Sequence, residues 1–292
     1  MLTTALDLAI GGIFLSSLYV LVAVGISLLY GVSQTINLAH GDFMIVGAYL
    51  AFMLITALGV VPTWTLIVVP ILMGLLGLAL YRAGGFSRIL TRPISRGDRE
   101  FTTMIMTFAL AWVTSNLLAW IFTANVQAYP APAGQLIIGD LVVPIRKLMT
   151  IVIAWPLIGV LGFMVKTTRI GLSIRCVFDD SEASKLMGID VNRVHSIIFF
   201  LALLTAGLGG ALFSMNFAFS PYLGTEFTIL GIVVTIIGGI GSIKGALVGG
   251  LIVGLSESFV MFFISPLLKI AFIYTLFIAI LLVRPVGLFR SM

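Results

Sequence analysis

His40 and Asp42 stand two residues apart, and Glu257 sits inside a long apolar run; these are the side chains whose types could do chemistry here. An imidazole near a carboxylate can pass a proton, so His40 and Asp42 could form a relay. A carboxylate within an apolar run must face protein, a cavity or a partner, because a lipid-facing charge is costly. Asn37 and Lys244 share this setting, each lying in a polar, glycine-punctuated interruption of apolar sequence. Asn116, Asn216 and Glu226 are weaker candidates of the same kind. Catalytic constellations are missing. Gly241-Ser242-Ile243-Lys244 falls short of a phosphate loop, because Ile243 stands where Gly-Lys-[Ser/Thr] requires glycine. The chain contains no His-Glu-x-x-His, no Gly-x-Ser-x-Gly and no Cys/His cluster, and its single Cys176 cannot form an intrachain disulfide.

The elements that position these residues follow from composition. Of 292 residues, 60% are hydrophobic and 9% charged, and the mean hydropathy is +1.22. So few charges could not cover the apolar surface of a water-soluble fold, and disorder is excluded by the same numbers. The expectation is an all-α polytopic membrane protein, since a helix needs about 20 apolar residues to cross a bilayer. Candidate spans lie near 8–30, 43–60, 64–81, 102–123, 148–165, 196–216, 227–238, 246–264 and 267–283. The run at 227–238 is short and reads as a half-span, so eight or nine transmembrane helices are expected, with broken or re-entrant segments. The continuous runs do not alternate as a β-barrel requires. The first run has no basic flank and is too long for a cleaved signal.

Cytoplasmic loops carry excess Lys and Arg. Before Arg82 there is neither. Arg82, Arg88, Arg92, Arg96 and Arg99 then fall in one loop, Lys166, Arg169, Arg175, Lys185 and Arg193 in or beside a second, and Arg284 and Arg290 end the chain. Both loops and the C-terminus are therefore expected in the cytoplasm and the N-terminus outside. Arg146 and Lys147 vote against this, beside an otherwise plain external connection at Tyr129-Pro130-Ala131-Pro132. The pI of about 9.6 then reflects topology rather than nucleic-acid binding.

Two interruptions break the helix rule, at 31–42 and 238–245. Irregular backbone survives in lipid only where protein or a water-filled cavity satisfies it, and paired interruptions point to a transporter's binding region. Asn37, His40, Asp42, Lys244 and Glu257 are accordingly the substrate-pathway candidates, against the blander reading of an interfacial loop. Gly245/Gly249, Gly250/Gly254, Gly207/Ala211 and Gly47/Ala51 have the small-xxx-small spacing of close helix packing.

Residues 167–195 form a loop with features of its own within a single domain spanning 1–292. Asp179 followed by Glu182 gives a capping-box-like start, the acids at 179, 180 and 182 suit the positive end of a helix dipole, and Gly188 makes a natural stop. A helix of about two turns exposing Leu186 and Met187 results: either a surface helix tucked on the bundle or a docking plug for a cytoplasmic partner.

Glu182-Ala183-Ser184-x-x-x-Gly188 resembles the Glu-Ala-Ala-x-x-x-Gly loop of ABC importer permeases, with Ser184 in place of the second alanine. The strings Ala183–Arg193, Ile36–Phe43 with Gly47-Ala48-Tyr49, Gly238–Gly249 and Arg284–Phe289 are similar to the Liv-type branched-chain amino acid permeases, covering nearly the whole chain in order. The resemblance implies a non-enzymatic permease subunit in a bacterial inner membrane. Its implied partners are a homologous second permease, a periplasmic binding protein and two cytoplasmic ATPases, which would hold the ATP and magnesium; no cofactor belongs to this chain. Asp179, Glu182, Ala183, Ser184, Leu186, Met187 and Gly188 would then couple to an ATPase. Implied substrates are branched-chain amino acids, or urea, short amides and organic acids. The competing reading is an ion-coupled carrier using His40, Asp42 and Glu257, which would have no need of a capped docking helix.

Overall fold

The computed structural model describes residues 2–91, 95–130, 134–139 and 141–289. Of the positions used above for orientation, Arg92, Ala131, Pro132 and Arg290 lie outside those residues, as does the side chain of Arg96.

The described residues fold into α1 (Leu2–Ser33), α2 (His40–Thr56), α3 (Pro62–Ala83), α4 (Phe86–Thr91), α5 (Arg96–Phe122), β1 (Gln135–Ile138), β2 (Leu141–Pro144), α6 (Ile145–Thr167), α7 (Arg169–Asp179), α8 (Ser181–Leu186), α9 (Val191–Asn216), α10 (Gly224–Gly238), α11 (Ile243–Phe263) and α12 (Lys269–Val283). Single 3-10 turns at Pro221–Leu223 and Pro266–Leu268 lead into α10 and α12. Eight of these helices are long and apolar enough to cross a membrane, counting the leading turns of α10 and α12. The expected all-helical, multi-span architecture holds.

Two spans differ from expectation. The run at 227–238 is no half-span: with its leading turn it covers 18 residues, Pro221–Gly238. α2, which has no leading turn, is 17 residues long, and rises about 26 Å against a hydrocarbon core of about 30 Å. The expected span at 43–60 starts earlier and stops earlier, because Gly59 turns the chain at φ +65° and Pro62 opens α3.

α1 and α9 form the centre. α1 is buried almost continuously from Phe14 to Val32, packed by α9, α10, α11 and α6. α9 lies between α2 and α3, and its glycines let it do so. A methyl added to Gly207 would strike Met73 and Pro70 of α3, and one on Gly210 would strike the backbone of Met44 and Ala48 of α2. The same device joins α10 to α11 at Gly238 and Gly245 and α11 to α1 at Gly254 and Ser16. The small-xxx-small glycines are therefore packing residues, where dispersion rather than apolar burial holds helices together.

One hairpin interrupts the all-α plan. β1 and β2 pair antiparallel, with Gln135 opposite Pro144 and Ile138 opposite Leu141. The apolar triplets around a left-handed Gly139 (φ +61°) are a hairpin signal. Beside it, Gln127 and Phe219 exchange both backbone hydrogen bonds, at 2.8 and 3.0 Å. Tyr129 reaches Ser214 at 3.0 Å, and burial pushes its phenol up to about 12.

Candidate functional site

The first interruption is narrower than the sequence suggested. α1 continues to Ser33, the irregular backbone spans 34–39, and His40, Gly41 and Asp42 form the first turn of α2. Gln34 starts the break with φ +52°. This segment is buried, so its polar groups need partners. Asn37 Oδ1 accepts the amide of Ala39 at 2.9 Å, Thr107 of α5 accepts that of Leu38 at 3.2 Å, and Thr228 of α10 accepts that of Gly41 at 2.8 Å. Asn37 thus stabilises the break itself. Sequence alone did not single out these two threonines, because α5 and α10 each carry several threonines and only packing shows which one meets the break.

α2 therefore begins inside the bundle. A methyl on Gly25 of α1 would collide with the His40 ring and with Thr205 of α9, which places His40 eight residues, or about 12 Å of helix, before the end of α1. Gly41 and Gly224 bring the start of α10 to the same level. Ala39 and Leu223, which precede the two helices, provide no side-chain cap, so two N-terminal dipole ends converge here. Asp42, in the first turn of α2, is buried and accepts from Ser115 of α5 at 2.7 Å. Among the described residues, its Oδ2 and both His40 nitrogens have no hydrogen-bond partner.

A cavity of about 490 Å³ opens beside this point, between α5, α10 and the irregular segment. Leu38, Phe108, Ala111 and Ile232 give it apolar walls, and Ser115, Asn116, Tyr222, Thr225 and Thr228 add a few polar groups. Such a space suits a small solute with an aliphatic body and polar ends. It opens outward across exposed Trp112, Tyr222 and Ile229. Asn116 is exposed rather than buried, donating to the Trp112 carbonyl at 2.8 Å.

The other candidates do not gather here. Glu257 is 2% exposed, accepts from Tyr19 at 2.5 Å and pairs with Lys269 at 3.3 Å. It meets α1 at Tyr19 while His40 meets it at Gly25, about 9 Å of helix away. Lys269 was missed because the pairing links α11 with the start of α12. Lys244 is exposed in the first turn of α11 and lies on a different cavity. Asn216 bridges to Thr150 at 3.0 Å, and Glu226 is half-buried at the start of α10.

The loop at 167–195 contains two helices. α7 is an amphipathic helix, capped by Thr168 and buried on Gly171, Ile174 and Val177, a spacing the sequence reading overlooked. α8 is shorter, and its cap is corrected by one position. Asp180 caps it, accepting the amides of Glu182 and Ala183 at 2.9 and 3.0 Å, while Asp179 ends α7. Glu182 makes no capping box and pairs with Lys185 at 2.8 Å instead. Gly188 donates to Lys185, and Ile189 to Ser184, with Gly188 at φ +82°: a Schellman stop. Leu186 and Met187 are 90% and 67% exposed, whereas Ser184 is buried against the bundle.

Comparison with known proteins adds a second line of evidence. A family model described as "Branched-chain amino acid transport system / permease component" matches residues 8–281. The high-affinity branched-chain amino acid transport system permease protein LivH of Salmonella typhimurium is 28% identical over 288 residues, covering 95% of this chain and 92% of that protein. BraD of Pseudomonas aeruginosa, with the corresponding description, is 26% identical over 96% of this chain and 94% of its own length. The fructose import permease protein FrcC of Rhizobium meliloti is 38% identical over 105 residues, 34% of this chain and 29% of that protein. No solved structure matches.

Proposed function

This chain belongs to the branched-chain amino acid transport permease family, and from that premise we propose that it forms one half of the translocation pathway for branched-chain amino acids. The observation that carries this reading is the cavity beside the buried start of α2. Its walls are mostly aliphatic and aromatic, with a few hydroxyls and one amide placed at intervals. A branched-chain side chain fits the first and a passing zwitterion the second. A sugar would need polar partners around most of its surface, which this lining does not supply. A homologous second permease would close the open side, so the pathway lies between two subunits.

The driving force comes from outside the chain. α8, capped at both ends with Leu186 and Met187 outward, is the surface we assign to a cytoplasmic ATPase; two such ATPases would bind the ATP and magnesium. Asp180 and Gly188 fix its ends, Glu182 and Ala183 form its first turn, and Ser184 anchors it to the bundle. Asp179 joins it to α7, so movement of α8 reaches α6 through α7 and reaches α9 directly. A periplasmic binding protein would deliver the solute to the opposite face of a bacterial inner membrane, with the N-terminus periplasmic and the C-terminus cytoplasmic. Ion coupling is the weaker reading, because Glu257 is neutralised by Lys269 and stands apart from His40 and Asp42.

The test is uptake of labelled leucine by the reconstituted complex. Thr225 is exposed on the cavity wall, so Thr225→Trp should fill the cavity and abolish uptake while ATPase co-purification stays intact. Undiminished uptake would remove this cavity from the pathway.

A further inference from the structure

A second cavity, of about 840 Å³, lies on another face of the bundle between α6, α7, the start of α11 and the C-terminal segment. Its composition is divided. Gly159, Gly162, Phe163, Leu247 and Phe289 supply an apolar wall, while Lys166, Arg175 and Lys244 supply three cations. Among the described residues, none of the three has a carboxylate within ion-pairing distance, and Arg175 Nε is buried without a hydrogen-bond partner. Asp179 also lines the cavity, leaving a net excess of two positive charges.

We infer that this cavity is a binding site for an anionic phospholipid of the cytoplasmic leaflet. Two features favour a lipid over a soluble anion. Free phosphate would gain nothing from the apolar wall, whereas an acyl chain would cover it. The glycines also leave the wall recessed: a methyl on Gly159 would touch nothing within 4 Å, and one on Gly162 only Ile243 at 3.8 Å. Basic pockets between helices on the cytoplasmic side are suited to such headgroups. The cations sit at the end of α6, on α7 and at the start of α11, on the side where Lys and Arg concentrate. A bound lipid would join α6 and α11 to α7, the helix that leads into α8.

The experiment uses the assembled complex in nanodiscs of phosphatidylethanolamine with a minority of phosphatidylglycerol, and counts retained phosphatidylglycerol by native mass spectrometry. Lys166→Gln with Lys244→Gln should lower retention on the order of fivefold per cation removed. Arg169→Gln, on the same loop but off the cavity, should leave it unchanged. Gly159→Phe should also lower retention by filling the apolar wall, and it answers the question if the double variant does not assemble. Equal retention in the double variant, or in Gly159→Phe, would overturn the proposal. Displacement of the lipid by inorganic phosphate would reassign the site to a soluble anion. Loss of the ATPase or second permease from the double variant, with lipid retention unchanged, would show a protein covering this face and would equally overturn it.

Discussion

Gly41 of α2 and Gly224 of α10 approach so closely that a methyl on Gly41 would strike the Gly224 carbonyl, and one on Gly224 would strike Asp42. Two helix starts thus meet inside the bundle, beside the cavity assigned to the pathway. Gly224→Ala should force the helices apart at a cost of about 1–3 kcal/mol, since close-packed backbone has no room to yield. The measurement is the thermal midpoint of the purified complex together with leucine uptake. Both should fall, and wild-type values for both would mean the approach is not required.

Glu257 and Lys269 make the second case. Glu257 is buried but Lys269 is about one-third exposed, so removing the lysine strands a buried carboxylate and costs less than the about 3–5 kcal/mol of a fully buried pair. Lys269→Met alone should therefore destabilise the complex. Adding Glu257→Gln should restore most of the loss, because the amide keeps a hydrogen-bonding group for Tyr19 without a charge. If the double variant is as unstable as Lys269→Met, the pair is not coupled as its 3.3 Å separation indicates.

At Gly188 the expected effect is conformational rather than steric. Its φ is +82° and a methyl there would touch nothing. Gly188→Val should cost on the order of 1 kcal/mol locally and redirect the chain after α8, whereas Gly188→Asn should be milder, since asparagine tolerates left-handed backbone. ATPase co-purification and substrate-stimulated hydrolysis should fall for valine and largely survive for asparagine. Glu182→Lys should also weaken both, by placing positive charge in the first helical turn and breaking the pair with Lys185. Unchanged values for Gly188→Val and Glu182→Lys would remove α8 as the coupling surface.

Orientation is open to thiol labelling in a Cys176-free background. Leu186 and Leu136 are exposed. With a membrane-impermeant reagent on intact cells, Leu136→Cys should label and Leu186→Cys should not. The reverse pattern would invert the topology.

The sequence alone determined the membrane class, most of the spans and the existence of α8, because each is a local matter. Twenty apolar residues must be helical in lipid, and Asp180 and Gly188 act on amides within four residues of themselves. Small-residue spacing marked the helix contacts for a similar reason, since only small residues let backbones touch. Tertiary structure decided which polar residues share a site. Asp42 found Ser115, Gly41 found Thr228 and Glu257 found Lys269, pairings between residues on different helices that no local spacing marks. It also decided where α2 begins: the break could start that deep only because threonines on α5 and α10 accept the amides freed by the missing helical turn. No local pattern encodes that supply, which exists only once three helices have packed.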